Sequence, residues 1–199
     1  LALFRGSWSL RAAESVCAVA GEGDRPDSDP PIESWEVCAT LTSLVEKSLV
    51  EADVSRNRVR YRLLETVRDF AVRRLSQEQE GRATDDLEES FVRFFLELIE
   101  PAPDERGWTD AVWLARTELE YPNLLAALEI AKRRGRVDWC LRLARALVRR
   151  SAQLGFWGPC LEIADQVLPL GTGSEDAVLE HRVVVLATCA HSAAVLDDF

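Results

Sequence analysis

Apolar residues recur at helical spacing in two stretches near the start of the chain. Residues 10–20 carry apolar side chains on one helical face, with Ser7 or Ser9 available to cap the first turn. A second helical pattern covers residues 32–46. The segment between them, residues 21–31, is rich in Pro, Asp and Gly and is predicted to be a loop.

The pattern then changes from helical spacing to alternation. Val59, Tyr61 and Leu63 alternate with arginines, which is the period of a β-strand. Residues 48–52 are predicted to be extended as well, and residues 55–57 supply turn residues between the two strands. A helix from residue 65 to about residue 75 follows, with four apolar residues predicted to be buried: Val67, Phe70, Ala71 and Leu75.

The order helix, loop, helix, β-hairpin, helix is typical of a winged-helix domain. The sequence therefore predicts a winged helix over residues 1–78 whose first helix is largely missing. Residues 76–84 are almost entirely polar and are predicted to be a surface connection. We expect a second domain, truncated at its C-terminus, over residues 79–199.

That second domain is predicted to be helical throughout. Short glycine-containing connections separate the helices, as antiparallel helix hairpins require. The architecture indicated is an α-solenoid of degenerate tetratricopeptide-like repeats. The predicted helices cover residues 85–100, 109–121, 122–134, 136–154, 156–168 and 174–196.

Composition places the chain among ordinary globular proteins. It has 199 residues, 47% of them hydrophobic and 29% charged, with a net charge of −10. Its five cysteines have no CxxC pair and are predicted to be reduced core residues, which favours the cytoplasm. No apolar run is long enough to span a membrane. There is no Met at all, and the chain begins in an apolar run, so we expect it to be a piece of a longer protein.

No constellation of residues supports catalysis or cofactor binding. A phosphate loop needs a Lys after Gly, and neither lysine of this chain follows one. His181 and His191 are ten residues apart, which places them on different faces of one helix. The sequence therefore predicts no catalytic residue, no cofactor-binding residue, no metal site and no enzyme activity.

DNA binding is the obvious alternative for a winged helix. The candidate recognition helix, Ile32–Glu46, contains Glu33, Glu36 and Glu46 and no basic residue, so phosphates would repel it. On this ground we expect direct DNA binding to be unlikely. The candidate interaction surface consists instead of the hairpin arginines and one aromatic residue near a helix turn: Arg56, Arg58, Arg60, Arg62 and Trp157.

Two groups of segments resemble a known family. They are similar to the winged helix, and to the start of the helical array that follows it, in bacterial STAND regulators. These are signal-transduction ATPases with numerous domains, which include large LuxR-type and SARP-type transcription factors. The resemblance lies in residues 3–10, 12–17, 41–50 and 61–71 and then in residues 94–100 and 113–128.

The resemblance implies a regulatory, protein-interaction role. An upstream nucleotide-binding module would bind ATP or ADP, the winged helix would pack on it, and the helical array would sense an effector or protein partner. Leu64 matches the position where many relatives carry a His that contacts ADP, and Leu cannot donate that hydrogen bond. The alternative function is a DNA-binding winged-helix transcription factor with a helical dimerisation region.

Overall fold

The structure is a computed structural model that describes residues 1–18, 32–54, 58–78, 82–100, 111–170 and 176–197. A short 3₁₀ turn, Leu168–Leu170, follows the eighth helix. The predicted loop at residues 21–31 and turn at residues 55–57 lie outside the described residues. The elements are α1 (Leu10–Cys17), α2 (Ser34–Glu46), β1 (Val50–Asp53), β2 (Arg60–Leu63), α3 (Glu65–Glu78), α4 (Arg82–Ile99), α5 (Ala111–Leu119), α6 (Tyr121–Arg133), α7 (Val137–Gln153), α8 (Trp157–Val167) and α9 (Asp176–Asp197).

The predicted fold class is confirmed: the chain is mainly helical, with an antiparallel hairpin in a winged-helix-like N-terminal region and a helical array after it. It divides into two compact units, Leu1–Phe94 and Phe95–Phe199. The predicted domain boundary after residue 78 stays a prediction. The predicted surface connection at residues 76–84 is shorter than expected, because α3 continues to Glu78 and α4 begins at Arg82.

In the first unit, the segment before α1 is joined to β2 by a single isolated β-bridge. Trp8 and Tyr61 exchange two backbone hydrogen bonds of 2.8 Å each. Ser9 then caps α1, because its hydroxyl accepts the Ala12 N–H at 3.2 Å. The sequence offered Ser7 and Ser9 equally for this cap. In the structure Ser9 is the cap, whereas Ser7 accepts hydrogen bonds from Arg60 of β2.

The hairpin and the N-terminal segment enclose an aromatic core. The strands pair in register from Val50 with Leu63 to Asp53 with Arg60. Phe4 stacks on Trp8 with ring centroids 5.0 Å apart and meets Phe91 of α4 edge-on at 5.1 Å. All three rings are completely buried. Such aromatic pairs contribute beyond the area that they bury, so this cluster anchors the unit.

Helix α3 differs from its sequence prediction. Phe70 is 60% exposed, and Val67, Ala71 and Leu75 are only half-buried. The prediction that these four residues are buried is therefore wrong. Their spacing shows that the helix has an apolar side, whereas burial also requires an element to cover that side. Among the described residues of this unit, none covers Phe70 completely.

In the second unit, α7 lies at the centre and packs against α5, α6, α8 and α9. Its buried residues include Cys140, Leu143 and Leu147. All six predicted helices are present to within three residues at each end. No helix within the described ranges is both long enough and apolar enough to cross a membrane. The tetratricopeptide-like character of the array stays a prediction.

Two glycines build the same turn at the ends of α6 and α7. Gly135 has φ +65° and Gly155 has φ +73°, values that favour glycine. After α6, the Gly135 N–H donates to the Lys132 carbonyl and the Arg136 N–H donates to the Ala131 carbonyl. The equivalent two backbone hydrogen bonds occur after α7, at the next connection between helices. Each is a Schellman motif, which satisfies the last helical carbonyls and turns the chain into the next helix.

Candidate nucleic-acid interface

Acidic and basic residues are concentrated in different segments of the N-terminal unit. Residues 32–54, which include α2 and β1, contain five carboxylates and one lysine. Residues 58–75, which include β2 and most of α3, contain six arginines and two carboxylates. The acidic character of α2 therefore does not extend to the whole unit. The segment that contains β2 and α3 is therefore the part of the unit whose charge can attract a polyanion.

Arg60 has a structural role in the hairpin. Its Nη2 donates to the backbone carbonyl of Ser7 at 2.6 Å, and its Nε donates to the Ser7 hydroxyl at 3.1 Å. These two bonds attach the N-terminal segment to β2 beside the pair of bonds between Trp8 and Tyr61. Arg60 is half-buried. We therefore assign it to the sheet and not to a contact surface.

Arg62 and Arg58 are exposed on the wing. Arg62 Nη2 lies 2.8 Å from Glu51 Oε2 across the hairpin. This hydrogen bond and the charge of Glu51 raise the pKa of Arg62, which stays cationic. Solvent-exposed pairs of this kind are weak, so a phosphate can replace the carboxylate. Arg58 makes no hydrogen bond or ion pair with any residue that the structure describes.

A cleft of about 280 Å³ lies beside the wing. Leu64, the position at which the resemblance to STAND regulators implies a His in many relatives, lines this cleft and is 37% exposed. Arg68 pairs with Glu65 there, and the hydrogen bond from Arg68 is the main reason that the pKa of Glu65 is lowered. Three guanidinium groups face the cleft from the chain start, the wing and α3: Arg5, Arg62 and Arg68.

The candidate interaction residues predicted from the sequence are divided between the two units, and their role stays a prediction. Arg58 and Arg62 are exposed on the wing, Arg60 is tied to Ser7, and Arg56 lies outside the described residues. Trp157 belongs to the other unit, where it is half-buried and meets the His191 ring edge-on at 6.0 Å. Its neighbour Phe156 is the more exposed of the two aromatic residues, at 51%.

Two exposed arginines of α3 were not among the interaction residues predicted from the sequence. Arg73 and Arg74 are exposed near the end of α3, four and five residues beyond Asp69. The two adjacent arginines were a visible signal in the sequence. Within the described ranges, no three His, Cys, Asp or Glu side chains lie close enough to hold a metal ion. The chemistry available at this surface is therefore the binding of anions by guanidinium groups.

Comparison with known proteins identifies the N-terminal region. Residues 28–76 match the family described as "Winged helix-turn-helix domain". The chain is 35% identical over 147 residues to proteins named "Putative HTH-type transcriptional regulator" in Mycobacterium tuberculosis and in Mycobacterium bovis. Each alignment covers 74% of this chain and 15% of the relative. An uncharacterized protein of M. tuberculosis is 32% identical over 83 residues, which are 42% of this chain and 19% of that protein. No solved structure matches the chain.

These findings confirm the resemblance at a coarse level. The chain contains a winged helix-turn-helix domain, and it is homologous to proteins named as HTH-type transcriptional regulators. The chain spans about 15% of the length of the curated relatives that it matches. The assignment to STAND regulators of the LuxR or SARP type stays a prediction.

One expectation is corrected. We expected direct DNA binding to be unlikely because α2 is acidic. The winged helix-turn-helix match and the names of the homologues point to DNA binding instead. The expectation was wrong because it considered the charge of α2 alone and not the charge of the whole N-terminal unit. Contacts to phosphate oxygens position a protein on a duplex, and they can come from a wing or from another helix.

Proposed function

We propose that the N-terminal unit binds duplex DNA through its wing and α3, as part of a transcriptional regulator. The observation that carries this proposal is the concentration of six arginines in residues 58–75, within a region that matches a winged helix-turn-helix domain. Lys and Arg side chains bind DNA by neutralising phosphates and releasing counterions. Residues 32–54 carry five carboxylates, which phosphates repel, so we expect few DNA contacts from this segment.

Three arginines are the proposed phosphate contacts. Arg58 has no partner among the described residues, Arg62 has only the exposed Glu51, and Arg73 is exposed on α3. The long side chains can reach a phosphate without moving the backbone. Because no basic side chain lies on α2, we expect affinity to come mainly from the phosphates and to fall steeply with salt.

The test is fluorescence anisotropy of a labelled duplex with the full chain between 50 and 200 mM salt. The double variant Arg58→Gln/Arg62→Gln removes two proposed contacts, so the slope of log K against log salt becomes shallower by about two units. Arg93→Gln is the matched control. Its side chain is 64% exposed, as is that of Arg62, and it also pairs with one glutamate, Glu89.

The control must bind DNA with the wild-type slope. A double variant that binds with an unchanged slope would exclude the wing as a DNA contact. If wild type and both variants bind no duplex even at 50 mM salt, the proposed function is wrong.

We propose as a second function that this region couples an effector-binding helical array to an upstream nucleotide-binding module, as in STAND regulators. The specific observation in its favour is Phe70, which is 60% exposed on α3. Leu64 and Val72 of the same segment are exposed as well, and a group of exposed apolar side chains suits packing on another domain. In this proposal ATP or ADP binds to the upstream module, this chain contributes no catalytic residue, and the protein works in the cytoplasm.

The second function has its own experiment. The affinity of the chain for its upstream module, made separately, is measured with ADP and with an ATP analogue. Binding that is about tenfold tighter with ADP, a difference of about 1.4 kcal/mol, supports coupling. Phe70→Ser weakens this binding, whereas Val112→Ser, at a residue that is 68% exposed in the other unit, leaves it unchanged. Equal affinity in both nucleotide states rules out the switch.

A further inference from the structure

The cleft beside the wing is bounded by three separate parts of the N-terminal unit. The N-terminal segment contributes Arg5 and Gly6, β2 contributes Arg62, and α3 contributes Glu65 and Arg68. Among the residues that line the cleft, three guanidinium groups face one carboxylate. The lining therefore has an excess of positive charge, which attracts an anion.

The N-terminal segment is fixed on both sides of Arg5. Phe4 and Trp8 are completely buried, and their rings stack with centroids 5.0 Å apart. Trp8 also exchanges two backbone hydrogen bonds of 2.8 Å with Tyr61. Arg5 itself is exposed. The core therefore holds the backbone at this position, whereas the Arg5 side chain is accessible from the solvent.

The other two guanidinium groups are paired with carboxylates that water reaches. Arg62 pairs with Glu51, whose side chain is 51% exposed, and Arg68 pairs with Glu65, whose side chain is 71% exposed. Exposed pairs of this kind contribute little to stability, because solvent screens them. A phosphate accepts hydrogen bonds from the guanidinium fork as a carboxylate does, so it can replace either carboxylate.

The size of the cleft indicates which kind of phosphate it can hold. Its volume is about 280 Å³. A single water needs about 10–15 Å³ in this measure, so the cleft has room for about twenty heavy atoms. A free phosphate ion would fill only a small part of this space. A phosphodiester together with the deoxyribose on each side would fill most of it, so the volume favours a segment of nucleic-acid backbone.

We propose that this cleft binds one phosphodiester of the DNA backbone, with Arg5 and Arg68 as its hydrogen-bond donors, next to the phosphate that Arg62 contacts from the wing. The inference rests on the proposed function and adds the N-terminal segment to the DNA-binding surface. The N-terminus of α3 borders the cleft, and its helix dipole favours an anion there. Glu65 competes with the phosphate for Arg68, so its carboxylate weakens DNA binding.

The first test counts phosphates with the same labelled duplex and the full chain. The double variant Arg5→Gln/Arg68→Gln removes both donors to one phosphate, so the slope of log K against log salt becomes shallower by about one unit. The matched control is Arg11→Gln/Arg93→Gln, at two exposed arginines of the same unit that do not line the cleft, and it retains the wild-type slope.

The outcomes separate this inference from the proposed function. A wild-type slope in the cleft variant, with a shallower slope in the double wing variant, overturns the cleft and leaves the proposed function in place. A slope that is shallower by about two units contradicts a single phosphate. If the wild type binds no duplex at 50 mM salt, both proposals are wrong.

The second test is a gain of affinity, which a misfolded variant cannot imitate. Glu65→Gln removes the competing carboxylate, and we expect it to tighten duplex binding about two- to threefold at 0.1 M salt. Glu89→Gln makes the same change of charge at a residue that pairs with Arg93 and does not line the cleft, so it retains wild-type affinity. Equal tightening by both variants would indicate a general effect of charge and overturn the inference.

Sodium phosphate is the competing probe, exchanged for sodium chloride at constant ionic strength. We expect it to leave duplex binding unchanged, because a free ion fills only part of the cleft. Phosphate that displaces the duplex from the wild type, but not from Arg5→Gln/Arg68→Gln, would identify the cleft as a site for a small ion and contradict the assignment.

Discussion

Trp8 and Tyr61 are 53 residues apart and are joined by two reciprocal backbone hydrogen bonds of 2.8 Å. This isolated bridge attaches the N-terminal segment to β2 of the two-stranded hairpin. It also places the Trp8 indole in the core, where Phe4 stacks on it. The N-terminal segment is thus a structural part of the winged unit and holds the wing at its base.

We expect Trp8→Ala to destabilise the chain by about 3–5 kcal/mol, because it removes a fully buried indole and leaves a cavity under the hairpin. Urea denaturation followed by circular dichroism measures this loss. Trp35→Ala is the control, since Trp35 is 66% exposed and its loss should cost no more than about 0.5 kcal/mol. Equal losses for both variants would show that the Phe4–Trp8 stack does not support the unit.

The backbone is strained just after the C-terminus of α2, and a substitution can relieve this strain. Ser48 has φ +57° and occupies the position that glycine fills in the turns after α6 and α7. We expect Ser48→Gly to stabilise the chain by about 1 kcal/mol. Gly155→Ala should destabilise it by about 1 kcal/mol, although no atom lies within 4 Å of the added methyl group.

Gly158→Ala separates this backbone effect from a general effect of glycine replacement. Gly158 also has open space around it, but it lies inside α8 with no positive φ. This variant should be neutral or more stable by about 0.5–1 kcal/mol. Thermal melts of the three variants measure their stabilities. We expect the midpoint to be highest for Ser48→Gly, intermediate for Gly158→Ala and lowest for Gly155→Ala. A reversed order would contradict the role assigned to positive φ at positions 48 and 155.

His181 makes stability depend on pH. Burial is the main cause that lowers its pKa below 6.5, and the charge of Arg145 acts in the same direction. Between the lowered pKa and 6.5, the unfolded chain binds more protons than the folded chain, so stability falls as pH falls through this window. We expect His181→Gln to flatten this slope between pH 5.5 and 7, measured as urea midpoints. His191→Gln should retain it, and loss of the slope in both variants would implicate other groups.

The cysteines should differ in reactivity. Burial raises the pKa of Cys140 to about 11 and that of Cys189 to about 12, and Cys189 Sγ also lies 4.0 Å from Cys160 Sγ. The nucleophile is the thiolate, so Cys140 and Cys189 should react slowly with iodoacetamide at pH 8, and burial shields the Cys160 thiol from the reagent. Half-buried Cys17 and Cys38 should react first. Peptide mass spectrometry reads the order, and rapid labelling of Cys140 would contradict the buried core described for α7.

Sequence periodicity was sufficient to predict where the helices lie. The apolar spacing of α7 and the alternation of β2 are local signals, and both elements occur as predicted. The exposure of Phe70 could not be predicted this way, because periodicity does not reveal whether another element covers a face. The bridge between Trp8 and Tyr61 has no local signal either, since one paired residue carries no period.

The candidate sites were harder to predict than the fold. The DNA prediction failed because charge was assessed on one helix, whereas the arginines of the same unit are concentrated in β2 and α3.

The turns at Gly135 and Gly155 affect how the sequence of such an array can change while its backbone is retained. In both, the change of direction is encoded by one glycine and two backbone hydrogen bonds, without any particular side chain on the flanking helices. Selection for the hairpin geometry therefore acts on very few positions. The helix faces are free to acquire new surfaces, so two hairpins can keep the same backbone path after their sequences have lost almost all common information.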